Sequence, residues 1–306
     1  MTTTDVTSTT DTQPVNAEFV TFHVTMGPNE SVHPNEALIE WEQQEILRVM
    51  AASVRLFHPK ASVTLLTDPR TASLGWSRRC RCIIREINPK QLMLERALAQ
   101  QSHIANSRMT APMVLLDSDI LLNQSLGDLF RRSFDVALTW RPHGEMPING
   151  GFMVLNADRP DVSKAFFDRF VAIYRERYSA RSDWFGDQLA LRDCVGLRAE
   201  QMTEEAVVDC DGCRVLLLSC NRYNFSPVNR YRSICSRLDD KTVLHFKGQR
   251  KRLMIPFWRA WLQPAHSLSP WVQFNGWRER RKIALLADAE RAGSVAAVNN
   301  EVKAAS

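Results

Sequence analysis

Residues Pro112 to Leu116 form a short, wholly apolar run that stops at Asp117-Ser118-Asp119. A run this apolar suits a strand buried on both faces, as in a parallel sheet covered by helices. Similar strand signals occur at Glu18 to Thr25 (EFVTFHVT), 61–67 (ASVTLLT), 82–87 (CIIREI), 135–140 (DVALTW) and 151–156 (GFMVLN). Helical spacing of apolar residues marks 36–57, 90–107 and 161–178, with Leu38, Trp41, Ile46, Val49, Val54 and Phe57 along the first. The order strand, helix, strand, strand, helix, strand predicts an α/β fold: a mainly parallel central sheet flanked by helices. Ligands in such sheets sit at the carboxyl ends of the strands, which is where Asp117 and Asp119 emerge.

Downstream, Val207 to Cys210 and Arg214 to Leu218 flank Asp211-Gly212, a hairpin signal, and Thr242 to Phe246 (TVLHF) reads as one more strand. Residues 1–17 are Thr-rich and predict a disordered tail, and the last residues, 296–306, a second one. The expected organisation is therefore one body over 18–256 and a helical C-terminal extension over 257–295. That extension carries Trp258, Trp261, Trp271 and Trp277 beside the basic cluster Arg278 to Lys282. It reads either as a packed helix completing the core or as a patch that meets anionic lipid. The packed reading is preferred, because the four Trp do not share one helical stripe.

Composition narrows the function. The 306 residues are 44% apolar and 24% charged, enough for a large core and too polar for a membrane-spanning run. The net charge of +5 fits an anionic ligand such as a nucleotide without requiring nucleic acid. Seven Cys without a regular framework, and a start lacking basic and apolar signal regions, predict a cytoplasmic location. Cys80 and Cys82 together with Cys210 and Cys213 can be imagined as a zinc site, but the spacing is wrong for one, and an edge strand and a hairpin that happen to carry Cys are preferred.

Two carboxylates at i and i+2 where a buried strand exits offer hard oxygen ligands to Mg²⁺ or Mn²⁺, metals that bridge phosphate oxygens. A double-glycine turn at Asn149-Gly150-Gly151 precedes the apolar strand and allows close backbone approach to a ligand. Gly186-Asp187-Gln188 opens a helical piece, where Asp187 also fits a plain N-cap. His245-Phe246-Lys247-Gly248-Gln249-Arg250-Lys251 closes a strand with a nitrogen ligand, a glycine amide and an ammonium, a set suited to a metal-bound diphosphate.

In this order the segments LLDSDILL (115–122), INGGFMVLN (148–156), GDQLAL (186–191) and HFKGQRK (245–251) resemble glycosyltransferase family eight, the retaining GT-A sugar-nucleotide transferases of the glycogenin and bacterial lipopolysaccharide galactosyltransferase kind. The resemblance covers roughly residues 18–256. It implies a GT-A, Rossmann-like sheet with a small antiparallel hairpin. It also implies transfer of a hexose from a nucleoside diphosphate sugar, with a uridine donor favoured, to a glycan, lipid-linked or small-molecule acceptor. By the resemblance, Asp117, Asp119 and His245 bind Mn²⁺ (or Mg²⁺), and Gly248 and Lys251 hold the diphosphate. Asn149 and Gly150 line the sugar pocket, with Ser118 and Arg96 also on the donor. Gln188 and Asp187 stand at the reacting face. The loop after the first strand, His23 to Glu30, lacks the Tyr that the family places on the uracil nucleoside, and Arg252 follows Lys251 where the family has Pro.

Two other classes compete. A sugar-nucleotide nucleotidyltransferase needs a Gly-rich, basic first loop, and residues 23–35 have one Gly and neither Lys nor Arg. A non-catalytic sugar-nucleotide-binding domain has no use for an intact Asp-x-Asp with His and Lys.

Overall fold

In the strand Met113–Asp117, Met113 and Leu115 are buried against one layer of helices, while Val114 and Leu116 are buried against the other. The period-two alternation of side chains therefore feeds two cores, one on each face of the sheet. In the strand Cys213–Ser219, Val215 and Leu217 face one layer and Leu216 and Leu218 the other. Each fully buried aliphatic of this kind contributes about 1.5–3 kcal/mol.

The computed structural model describes residues 16–26, 38–143, 145–181, 185–196 and 205–305, without the side chains of Ser77, Arg181 and residues 294–305. The strands are β1 (Glu18–Phe22), β2 (Ser62–Thr67), β3 (Arg81–Ile84), β4 (Met113–Asp117), β5 (Ile120–Leu122), β6 (Val136–Trp140), β7 (Ile148–Leu155), β8 (Val207–Cys210), β9 (Cys213–Ser219) and β10 (Val243–His245). The helices are α1 (Glu40–Phe57), α2 (Pro69–Ser73), α3 (Leu92–Asn106), α4 (Gly127–Phe130), α5 (Pro160–Arg177), α6 (Gly186–Val195), α7 (Cys220–Tyr223), α8 (Lys251–Phe257), α9 (Gln263–Ala265) and α10 (Pro270–Ala305).

Eight strands make one sheet in the order β3-β2-β1-β4-β7-β6-β9-β8. All but β7 and β8 run in one direction, so the mainly parallel α/β sheet expected from the sequence is the sheet observed. The hairpin at Asp211-Gly212 joins β8 to β9, with both residues at positive φ. A small second sheet pairs β5 with β10 in antiparallel register, Ile120 opposite His245. Helices α1, α8 and α10 cover one face of the main sheet, and α3, α5 and α6 the other. Among the described residues, no helix is long and apolar enough to cross a membrane.

Several expectations change. Asn149, Gly150 and Gly151 do not form a turn: they lie inside β7, where the register against β6 slips between Leu138 and Thr139. That β-bulge aims Asn149 and the glycines at the cleft. Trp41 is 60% exposed, because it lies five residues before Ile46, about 140° around α1 from the core face. The two cysteine pairs are at opposite edges of the main sheet, on or beside β3 and on β8–β9, about 30 Å apart at ~4.8 Å per strand, so they cannot share a zinc ion. Helix α10 continues through 296–305, where a loose tail is expected from composition. The N-terminal tail, residues 1–15, lies outside the described residues, as do residues 36–37 at the expected start of the first helix. Of the C-terminal Trp residues, Trp258 is buried and Trp261 bonds the carbonyl of Ile234, whereas Trp271 and Trp277 are exposed.

Candidate active site

The carboxyl ends of β1 and β4 are adjacent, and from β1 the chain order runs one way to β2 and β3 and the other way to β4. Such a switch point opens a crevice in an α/β sheet. Asp117 is the last residue of β4, and Asp119 follows two positions later on the turn into β5. The β5–β10 pairing then carries in a residue more than a hundred positions away. Phe246 N–H donates to the Asp119 carbonyl at 2.9 Å, which fixes His245 beside the two carboxylates.

One ligand atom from each of Asp117, Asp119 and His245 lies within 4.8 Å of the others. His245 Nε2 is 3.0 Å from Asp119 Oδ1 and 3.5 Å from Asp117 Oδ2. Its other ring nitrogen, Nδ1, is 2.7 Å from Asn224 Oδ1. The Asn224 amide nitrogen donates to Thr139 Oγ1 (2.8 Å) and Asn149 Oδ1 (2.7 Å), which leaves its oxygen for the imidazole. The Asn224 oxygen thus accepts from Nδ1–H, and Nε2 is the ring nitrogen that faces the carboxylates. Two oxygens and one imidazole nitrogen suit a divalent cation such as Mn²⁺ or Mg²⁺. Burial alone would push the Asp119 carboxyl up, but His245 and Lys251 hold it well below the usual range.

Gly151 makes room for this cluster. A Cβ on it would lie 2.4 Å from His245 Cε1 and 2.7 Å from Asp117 Oδ2. Gly150 next to it faces Asp187 Oδ2 at 3.1 Å and Arg96 Nη2 at 3.4 Å by the same construction. The glycines serve close approach, without left-handed backbone.

Opposite the carboxylates, Arg96 from α3 is buried between two acids. It is paired with Asp117 on one side and donates to Asp187 Oδ2 at 2.5 Å on the other. Burial opposes its charge, and the two carboxylates more than restore it, raising the guanidinium above its ordinary value. Asp187 is pushed up by burial, with Arg96 as the opposing influence. Gln188 stands beside it at the start of α6, its Oε1 accepting from Asn149 Nδ2 (3.3 Å) and Arg141 Nη2 (3.2 Å). Lys251 opens α8 after the turn at Gly248, with Nζ 3.8 Å from Asp119 Oδ2. Ser118 Oγ lies 3.0 Å from His23 Nδ1. Burial and the Lys251 charge push the His23 imidazole down to about 4.

All eleven residues singled out from the sequence line one cleft of about 480 Å³: Arg96, Asp117, Ser118, Asp119, Asn149, Gly150, Asp187, Gln188, His245, Gly248 and Lys251. Phe22, Val24, Met26, Leu38 and Ile46 add apolar side chains to its lining. A larger hollow of about 880 Å³ lies between the edge strand β3 and α3, where Glu18 is already bonded to His103 and Thr64. It holds none of the metal-type cluster.

Beyond these eleven, the cleft takes in Gly151, half of the double glycine seen in the sequence, and Arg141, from the unusual segment 141–147 that the sequence offers as shaping the acceptor site. His23 and Asn224 carry no local signal, because their roles depend on partners that are distant in the chain.

No protein-family profile matches the chain, and no curated protein does. Solved structures do align with it. Its structural neighbours are GT-A glycosyltransferases. The galactosyltransferase LgtC, solved with donor and acceptor sugar analogues, aligns at 15% identity and TM-score 0.45, over 89% of this chain and 95% of that one. A glycosyltransferase involved in glycosylation of the major capsid of PBCV-1 aligns at 12% and 0.45, over 78% and 98%. The apo glycosyltransferase GlyE of Streptococcus pneumoniae aligns at 12% and 0.46, over 88% of this chain and 64% of that one.

Proposed function

We propose that this chain is a metal-dependent hexosyltransferase that uses a nucleoside diphosphate sugar, with UDP as the nucleotide and Mn²⁺ as the metal, and that the anomeric configuration is retained. Residues 18–256 are the proposed transferase unit and 257–295 its extension. The observation that carries the reading is the meeting, in one cleft, of the Asp117–Asp119–His245 cluster with Lys251 on one side and the Asp187–Gln188 pair on the other.

Each residue then has a role that its chemistry supports. Asp117, Asp119 and His245 hold the cation, which when bound supplies Lewis acidity against the diphosphate charge. The Gly248 amide and the Lys251 ammonium hold the diphosphate. Ser118, Asn149, Gly150 and Arg96 border the donor sugar and ribose. During transfer the anomeric carbon–oxygen bond to the diphosphate breaks, and its electron pair leaves with the nucleotide. The acceptor hydroxyl oxygen bonds to the anomeric carbon, and its proton passes to the departing phosphate. Gln188 Oε1 and the Asp187 carboxylate face the positive charge that develops on the ring.

The test is thermal stabilisation by UDP, GDP, CDP and ADP, each with and without Mn²⁺. A ligand that binds only the native state at a hundred times its Kd stabilises it by about 2.7 kcal/mol. A Mn²⁺-dependent shift with UDP alone supports the reading, and Asp119→Ala abolishes that shift. Absence of a shift with every nucleotide overturns it.

A second surface favours peripheral contact with an anionic membrane on the cytoplasmic side. Trp271, Phe274 and Trp277 are 68%, 48% and 47% exposed, with Arg278 over the Phe274 ring and Arg281 over the Trp277 ring. Aromatics beside cations suit a lipid interface. Co-sedimentation with vesicles containing anionic lipid, against purely zwitterionic vesicles, tests this, and loss of binding is expected for Trp271→Ala/Trp277→Ala.

A further inference from the structure

A carboxamide has an acceptor end and a donor end of nearly the same shape, so what Gln188 does in the cleft depends on which end is held where. Its Oε1 accepts from Arg141 Nη2 at 3.2 Å and from Asn149 Nδ2 at 3.3 Å. Arg141 has donors only, so it fixes the oxygen end of Gln188 without ambiguity. Asn149 agrees with it. The Asn149 oxygen accepts from the Gly151 backbone N–H at 3.1 Å and from Asn224 Nδ2 at 2.7 Å, which leaves its amide nitrogen for Gln188. Turned over, Gln188 would set its N–H groups against the donors of both neighbours.

Arg141 is itself held from the other side. Its backbone N–H donates to the Pro147 carbonyl at 2.8 Å and its Nε to the Met146 carbonyl at 3.2 Å. The His143 N–H returns to the Arg141 carbonyl at 2.8 Å, and His143 Nδ1 accepts the Met146 N–H at 3.2 Å. Arg192 of α6 reaches the Glu145 carbonyl at 3.1 Å. The connection from β6 to β7 is therefore closed on itself and tied twice to α6, once through Arg192 and once through Arg141 and Gln188. His143 and Glu145 on that connection are exposed, whereas Arg141 is half-buried and lines the cleft.

We infer that Arg141 is a positioning residue for the transfer step, an inference that rests on the transferase reading above: it holds the Gln188 amide in one orientation and so sets the rate of bond breaking, not the affinity for the donor. Without Arg141 only the longer bond from Asn149 remains, and the broad, two-fold torsion at the end of a glutamine lets the amide swing. A group that has to sit within about 0.5 Å of its working place then loses catalysis while binding is kept.

Two measurements on the full chain test it. The first needs no donor: ¹⁵N relaxation of the Gln188 side-chain amide, assigned by its absence in Gln188→Met. Its order parameter is expected near the rigid value of about 0.85 in the parent and below about 0.6 in Arg141→Met. An amide that is mobile in the parent, or equally rigid in the variant, overturns the inference. The second is UDP release from UDP-glucose and UDP-galactose with Mn²⁺. Arg141→Met is expected to lower kcat at least about tenfold, the order of one bond to a charged group, while KM and the Kd for UDP change by less than about threefold. Arg141→Lys keeps a cationic donor and should recover part of kcat. Added to Gln188→Met, Arg141→Met should cost nothing further, because its effect passes through Gln188. Additive losses in that cycle, or a rise in KM as large as the fall in kcat, overturn the inference, since either assigns Arg141 to the loop or to the donor. Arg141→Gln replaces the methionine variant if that one does not melt cooperatively. Failure of the parent to bind UDP with Mn²⁺ removes the transferase reading and leaves the relaxation result to decide the clamp; UDP binding with a mobile Gln188 amide does the reverse.

Discussion

His245 Nδ1 and Asn224 Oδ1 lie 2.7 Å apart, and this hydrogen bond decides which imidazole nitrogen faces Asp117 and Asp119. Asn224 is itself locked by Thr139 and Asn149, so the ring is held from behind by a buried polar network that reaches Gln188 through Asn149. Bonds of this kind typically tune metal affinity by 10–100-fold. Asn224→Ala is expected to weaken Mn²⁺ binding in the presence of UDP by roughly that factor, measured by calorimetry or Mn²⁺ EPR. Asn224→Asp keeps an acceptor for Nδ1–H and should recover part of the loss. Unchanged Mn²⁺ affinity in the alanine variant would show that the bond is incidental.

Gly151 allows a sharper test, because the obstacle is a single methyl group. The added Cβ would meet both His245 and Asp117. Gly151→Ala should lose Mn²⁺-dependent nucleotide binding by more than roughly tenfold, since a ligand displaced by about half an ångström no longer meets the metal geometry. A Gly151→Ala protein that binds Mn²⁺ and UDP like the parent would refute the close-approach argument.

Away from the site, Asp135 is fully buried at the head of β6, paired with Arg159 and Arg214 and accepting from the Arg214 backbone N–H at 2.7 Å. Burial would push its carboxyl up, and the two arginines hold it well below the ordinary range. Because both arginines keep part of their hydration, removing the carboxylate should cost about 2–4 kcal/mol, at the lower end for a broken buried pair. Urea unfolding of Asp135→Ala measures it. A group with a depressed folded pKa stabilises above its unfolded pKa, so this contribution fades as pH falls below about 4.

A separate acid sensitivity follows from His58, buried between Phe19 and Phe130, whose Nε2 accepts the Leu126 N–H at 3.0 Å. Burial pushes its imidazole down to about 4. The unfolded chain takes up this proton near pH 6.5 and the folded one only near 4, so stability is full above 6.5 and falls between those values, by about 3 kcal/mol. Melting temperatures between pH 7.5 and 4 should show that fall, and His58→Gln should flatten it. An identical slope in the variant would assign the loss to other groups.

Much of the architecture is legible in the chain. Period-two and 3.6-residue patterns locate β4, β6, α3 and α5 within a few residues, because burial on two faces forces those patterns locally. The Asp117-Ser118-Asp119 exit and the His245 to Lys251 segment are also visible, since each is a contiguous set of chemically matched residues. What the pattern misreads is position relative to other elements. Trp41 has the right residue type for a core and the wrong angle on α1, and Asn149-Gly150-Gly151 has turn composition within a bulged strand.

The sequence by itself determined the residue chemistry: two carboxylates, an imidazole, an ammonium and an amide–carboxylate pair, on strand ends of an α/β sheet. Only the tertiary structure decided that β10 pairs with β5, which brings His245 to Asp119 across more than a hundred residues. Only it decided that Asn224 orients that histidine and that Arg141 reaches Gln188 in the same cleft. The reason is physical. Periodicity is imposed by each element's own burial, whereas hydrogen-bond partners and facing charges depend on distances between segments that share no local signal.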